Sequence, residues 1–179
     1  MNSQDLKKIS DELIKTFIMA GERSIKLREI GLKKEIKSDN TPVTNGDIEV
    51  NDILTKKIKN ITPDIPIVSE ESSSNKSNTD LNNFWLIDPI DGTYDYVNNK
   101  DEFTLNAALI VNKKPEMGII YAPAKKRLFY TYGLGSSFEL VNEKEIKLTC
   151  EKKTSKNQVK AVSYSQNLKP EIAELHKKF

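Results

Sequence analysis

The stretch FWLIDPIDGTYDYV, residues 84–97, carries an apolar run into two aspartates, Asp88 and Asp91, with a proline between them and a glycine and threonine behind. A second apolar run, IPIVSE, ends in Glu70, and Glu71 follows. If the two runs are adjacent strands, their ends gather four carboxylates. In a dry setting, like charges so close drive some members to the neutral acid. A divalent cation removes that conflict, and an oxygen-only ligand set favours a hard ion such as Mg²⁺. No histidine or second cysteine is nearby to suggest zinc.

In an unbroken strand Asp88 and Asp91 would point to opposite faces. Pro89 and Gly92 favour a bend instead, because proline fixes φ and glycine admits φ > 0. A bend lets both aspartates converge and turns the Ile90 carbonyl inward as another oxygen ligand. Thr93 then opens TYDYVNN, which reads as a short helix whose first N–H groups, from Gly92 and Thr93, face the same cavity. A helix start beside a cation suits a phosphate group. Taken singly, DG is an ordinary hairpin turn and EE an ordinary solvated strand end. Their joint occurrence, each behind an apolar strand, favours the metal reading.

The elements around these residues have distinct periodicities. Leu6, Ile9, Leu13, Ile14, Phe17, Ile18 and Ile25 recur at helical spacing, with Ser3 as a candidate cap. Residues 34–44 read as a short hairpin or extended connection. Asp47 opens a second helix whose apolar face is Ile48, Ile53, Leu54 and Ile58. Residues 72–83, SSSNKSNTDLNN, read as a polar, mobile surface loop. Beyond Asp91, the runs FTLNAALIVN, PEMGIIYAP, RLFYTYG, SSFELVN and EIKLT predict successive antiparallel strands. The expected class is α+β: a layered fold with two helices on one face of a largely antiparallel sheet.

QVKAVSYSQ predicts one further strand and KPEIAELHKKF a helix. These residues are too few for a core of their own. The expected division is therefore a metal-binding domain over 1–155 and the start of a second α/β domain over 156–179. His176, the sole histidine, reads as a surface residue, and Cys150, the sole cysteine, as a small filler.

The 179 residues carry 28 Lys and Arg against 26 Asp and Glu, a net charge of +2 that gives no sign of a nucleic-acid partner. One cysteine permits no internal disulfide, which suits a reducing cytoplasm. No apolar run reaches the roughly 20 residues of a membrane-spanning helix.

VSEES, WLIDPIDGT and the upstream TPVTNGD resemble the magnesium-dependent, lithium-sensitive inositol monophosphatase superfamily, in its order and near its spacing. Residues 1–165 carry the resemblance. PIVSEE, DEFTLNAALIVNKKPEMGIIYAPA and LFYTYGLGS look most similar to the 3'(2'),5'-bisphosphate nucleotidase branch. The resemblance implies Mg²⁺-dependent removal of the 3'-phosphate from 3'-phosphoadenosine 5'-phosphate, giving AMP. It implies that Glu70 binds the first metal and orients water, that Asp88 bridges metals, and that the Ile90 carbonyl and Asp91 serve the first and second ions. Thr93 would hold the attacking water, the Gly92 and Thr93 amides the phosphate, and Asp47 would assist water activation. Glu71 would stand one layer behind. Two or three Mg²⁺ ions are implied per complete site.

The family's W-D-x-A-A-G-type motif has no counterpart here, because the only tryptophan, Trp85, belongs to the first signature. The second metal site is thus expected to lack a ligand. Three expectations follow: a nucleotidase impaired by truncation, a non-catalytic remnant or half of a split enzyme, or an inositol monophosphatase. The implied partners are a small phosphate ester and a homo-oligomer or complementing C-terminal fragment. The expected location is the cytoplasm, with at most peripheral association at the inner membrane.

Overall fold

The structure, a computed structural model, describes residues 1–36, 42–72, 80–149 and 170–177. Its contacts separate two compact units, Met1–Thr149 and Cys150–Phe179. In the second unit the described part is one helix, Pro170–Lys177. The strand expected over 158–166, Cys150 and the His176 side chain lie outside the described residues.

The first unit opens with helix α1, Ser3–Ile30, which buries Leu6, Ile9, Leu13, Phe17, Ala20 and Leu27 along one stripe. Its cap is Asn2, one residue before the expected Ser3; the Asn2 side chain accepts from the Gln4 and Asp5 amides while Asp5 reaches back to the Asn2 amide. That reciprocal arrangement satisfies three backbone donors at once. Strands β1, Lys34–Ile36, and β2, Pro42–Thr44, pair antiparallel. Residues 37–41 between them are outside the described set, as is most of the polar loop expected over 72–83.

Helix α2, Asn45–Ile61, starts from Thr44 with Asp47 in its first turn. It buries Val50, Leu54 and Ile58, whereas Ile48, expected on the apolar face, is exposed. Four residues before Asp52 and one after Asp47, Ile48 sits on the solvent side of a helix whose buried stripe follows 47, 50, 51, 54 and 58.

Strands β3, Ile67–Ser69, β4, Phe84–Asp91, β5, Thr104–Val111, β6, Lys114–Ala122, β7, Arg127–Thr131, β8, Ser137–Val141, and β9, Lys144–Lys147, form one sheet in sequential order. β3 and β4 run parallel; every other neighbouring pair is antiparallel. A five-residue helix α3, Thr93–Val97, links β4 to β5. The β5–β6 and β8–β9 hairpins close on Asn112–Lys113 and Asn142–Glu143, all four with φ between 49° and 61°. That pairing of two left-handed residues matches the right-handed twist of the flanking strands.

Alternation along the strands sorts side chains between two faces. Trp85, Ile87, Leu105, Leu109, Met117, Ile119 and Leu128 join the buried stripes of α1 and α2 in one core. Leu86, Ile120 and Ile146 point the other way and remain about half exposed, each at 48%. Asp88 lies on this open face, two residues after Leu86.

Candidate metal and phosphate site

Parallel pairing sets Ser69 beside Ile87, and the Glu70 amide extends the ladder by donating to the Ile87 carbonyl at 3.1 Å. Glu70 therefore emerges next to Asp88. The strand end is braced behind: buried Ser69 donates to Asn51 Oδ1 on α2 at 2.6 Å, and Trp85 Nε1 donates to Thr62 Oγ1 at 2.9 Å. The first ties β3 to the middle of the second helix, and the second ties β4 to the residue that ends it.

Asp88 faces Asn106 across β4–β5, while Asp91 faces Thr104. Three steps on β4 thus match two on β5, so one extra residue is accommodated between the aspartates. This bulge returns Asp91 to the same face as Asp88. Gly92 follows at φ 89°, where a β-carbon would lie 2.7 Å from the Glu102 carbonyl. Only glycine fits so close an approach at positive φ.

Burial, together with the charges of Glu70, Asp91 and Asp47 and a hydrogen bond with Glu70, pushes the Asp88 carboxyl up to about 7. Asp88 Oδ1 is buried and has no hydrogen-bond partner. Glu70 and Asp91 are exposed, so the cluster opens to solvent on one side.

Asp47 is buried, at 1% exposure. Its Oδ2 accepts from the Thr44 amide at 2.8 Å, and the Thr44 Oγ1 accepts in return from the Asp47 amide at 3.3 Å, the two halves of the helix cap; the Thr44 hydroxyl also donates to Oδ2 at 2.6 Å. Its Oδ1 accepts from Thr93 Oγ1 at 3.2 Å, and the same hydroxyl lies 3.0 Å from the Ile90 carbonyl. Thr93 has a single hydroxyl proton for two acceptors. Burial raises the Asp47 pKa, against the pull of the Thr44 and Thr93 hydrogen bonds. Gly46 holds this region tightly, since a β-carbon there would meet Tyr96 Oη at 2.5 Å, and that hydroxyl donates to the Ser24 carbonyl.

The structure thus brings Glu70 to Asp88, places Asp91 on their face, and links Asp47 through Thr93 to Ile90. Among the described residues, no three acidic, histidine or cysteine side chains form a group able to hold a metal ion. The arrangement is one of neighbouring pairs. The oxygen-only donors and the orphaned Asp88 Oδ1 are nonetheless the features a hard cation suits. Asn106 was missed by the motif reading. Its signal was a polar residue inside FTLNAALIV, at an alternating position shared with no charged neighbour. Asp88 and Asn106 also line an open hollow of about 410 Å³ with Leu86, Ala108 and Ile120.

Residues 4–179 match the inositol monophosphatase family. This chain belongs to that family. Within the inositol monophosphatase family, it is similar to the 3'(2'),5'-bisphosphate nucleotidase CysQ of Salmonella typhimurium, 39% identical over 95 residues, which are 52% of this chain and 39% of that protein. The solved CysQ of Bacteroides thetaiotaomicron is 27% identical with a TM-score of 0.65, over 94% of this chain and 69% of that one. An IMPase/NADP phosphatase solved with Mg²⁺ and phosphate is 25% identical with a TM-score of 0.64, over 75% of this chain and 51% of that one. The chain thus spans well under half the length of the curated relative. The expected α+β class agrees with these neighbours. Among the described residues, no helix is long and apolar enough to cross a membrane.

Proposed function

We propose that the chain carries the metal-binding half of a Mg²⁺-dependent phosphomonoesterase of the CysQ type, acting on the 3'-phosphate of 3'-phosphoadenosine 5'-phosphate to give AMP. The observation that carries this reading is the emergence of Glu70 beside Asp88 at paired strand ends, with Asp91 on the same face of the sheet as Asp88. Glu70, Asp88, Asp91 and the Ile90 carbonyl would hold the ions. Mg²⁺, when bound, supplies charge neutralisation for the transferring phosphoryl group and acidifies the attacking water.

The chain's own groups do the positioning. Thr93 orients the nucleophile with its hydroxyl, and Asp47 fixes that hydroxyl through Oδ1. The Gly92 and Thr93 amides, at the start of α3, are set for a phosphoryl oxygen. Glu71 lies behind Glu70, its amide bonded to Ser69 Oγ at 3.3 Å. Residues 1–155 would form this domain and 156–179 would belong to the next.

The test is phosphate release from 3'-phosphoadenosine 5'-phosphate with Mg²⁺, run in parallel on inositol monophosphate. Turnover of the first that disappears with EDTA and in Asp88→Ala is expected. Equal or greater turnover of inositol monophosphate would move the substrate to the inositol class. A second reading has its own support in the absence of a three-ligand group among the described residues. On that reading the chain binds metal and phosphate but turns over only with a complementing C-terminal fragment. Activity that appears only on mixing with a fragment bearing the tryptophan–aspartate motif would establish it.

A further inference from the structure

The β4–β5 register sets Asn106 directly opposite Asp88, on the same face and across the bulge from Asp91. Asn106 Nδ2 donates to Asp91 Oδ2 at 3.4 Å. This fixes the orientation of the amide, because the reverse orientation would set its carbonyl oxygen against a carboxylate. Asn106 Oδ1 is then buried with no hydrogen-bond partner, as is Asp88 Oδ1 opposite. Among the described residues, the only other such atom is Ser10 Oγ, on α1. Two of the three orphaned oxygens therefore belong to one cross-strand pair. With Asp88 ionised, as a bound cation requires, both are acceptors and neither satisfies the other, and a buried acceptor left without a donor is costly to fold around.

We propose that Asn106 is a positioning residue for the carboxylate cluster. Its Nδ2 anchors the Asp91 carboxylate, and its Oδ1 joins Asp88 Oδ1 as an acceptor for the hydration shell of a divalent cation. The inference rests on the metal-site reading above and adds a member to it that no acidic motif contains. Neutral Asn suits the place: a further carboxylate would add like charge beside Asp88 and Asp91. A leucine of similar size would leave Asp91 unanchored and the cation's water unpartnered. Outer hydrogen-bonding groups of this kind typically govern metal affinity by about 10- to 100-fold.

The test uses the full chain and Mn²⁺ as probe, with free ion followed by electron paramagnetic resonance and stability by thermal melting in EDTA. Asn106→Ala is expected to weaken Mn²⁺ binding by about tenfold or more, while its EDTA melting temperature stays at or above wild type because one orphaned acceptor is gone. Asn106→Ser, which keeps a hydroxyl acceptor, should recover part of the affinity and serves if the alanine variant does not fold. Asp88→Ala is the control. If wild type binds Mn²⁺, Asp88→Ala does not, and both Asn106 variants bind as wild type, the role of Asn106 is overturned and the site stands. If Asp88→Ala binds as wild type, the metal-site reading itself fails. A lowered EDTA melting temperature with unchanged affinity would make Asn106 a packing residue only and also overturn the proposal.

Discussion

Asp88 and Gly92 are four residues apart and respond to different conditions. In the metal-free protein the Asp88 carboxyl titrates near 7, against an ordinary value of 3.8. The folded state therefore holds its proton more tightly than the unfolded chain between those limits. Stability from this group is fully present below about pH 4 and is lost as pH rises through 7. Buried Asp47, also raised, acts in the same sense. Thermal melting in EDTA should give a lower midpoint at pH 8 than at pH 5.5, and saturating Mg²⁺ should raise the midpoint more at pH 8. A higher metal-free midpoint at pH 8 would contradict the clustering. Gly92 imposes a steric constraint that does not depend on pH. Gly92→Ala at φ 89°, facing the Glu102 carbonyl, should destabilise by about 1–3 kcal/mol in urea unfolding.

At the scale of elements, the start of α2 ties stability to the site. Thr44 caps the helix and holds Asp47 Oδ2 by two hydrogen bonds. Thr44→Ala should cost about 1–2 kcal/mol in urea unfolding, and Thr44→Ser should restore most of it. How legible these elements were depended on the range of the interaction. Glu70, Asp88, Asp91 and Thr93 stood out because strong apolar runs end on them, a local signal. Asp47 was visible as a helix start, but its link to Thr93 spans 46 residues and rests on the packing of Gly46 against Tyr96. The bulge was foreshadowed by Pro89 and Gly92, yet its register is set by the partner strand. Asn106 was invisible to motif reading for that reason: its importance comes from standing opposite Asp88, and pairing partners are not written in either strand alone. Ile48 was assigned to the wrong face because an apolar residue one position from the stripe looks the same in sequence as one on it.

For the first unit as a whole, the two faces of the sheet are unequal. One is sealed by α1 and α2; the other presents Leu86, Ile120 and Ile146 at about half exposure. Such a surface should bind apolar dye and associate as concentration rises. Ile120→Lys should reduce both, measured by dye fluorescence and sedimentation velocity, without lowering the melting temperature. Unchanged sedimentation and dye binding in that variant would show the face to be inert. The hairpin ends offer the opposite opportunity. Lys113 and Glu143 adopt a left-handed backbone that glycine takes without strain; Lys113 closes the opposite end of β5 from Asn106, and the β8–β9 turn is separated from β4 by three intervening strands. Lys113→Gly and Glu143→Gly together should raise the melting midpoint. That hardened parent would let damaging exchanges at Gly92 or Thr44 be purified and measured, keeping loss of chemistry separable from loss of fold.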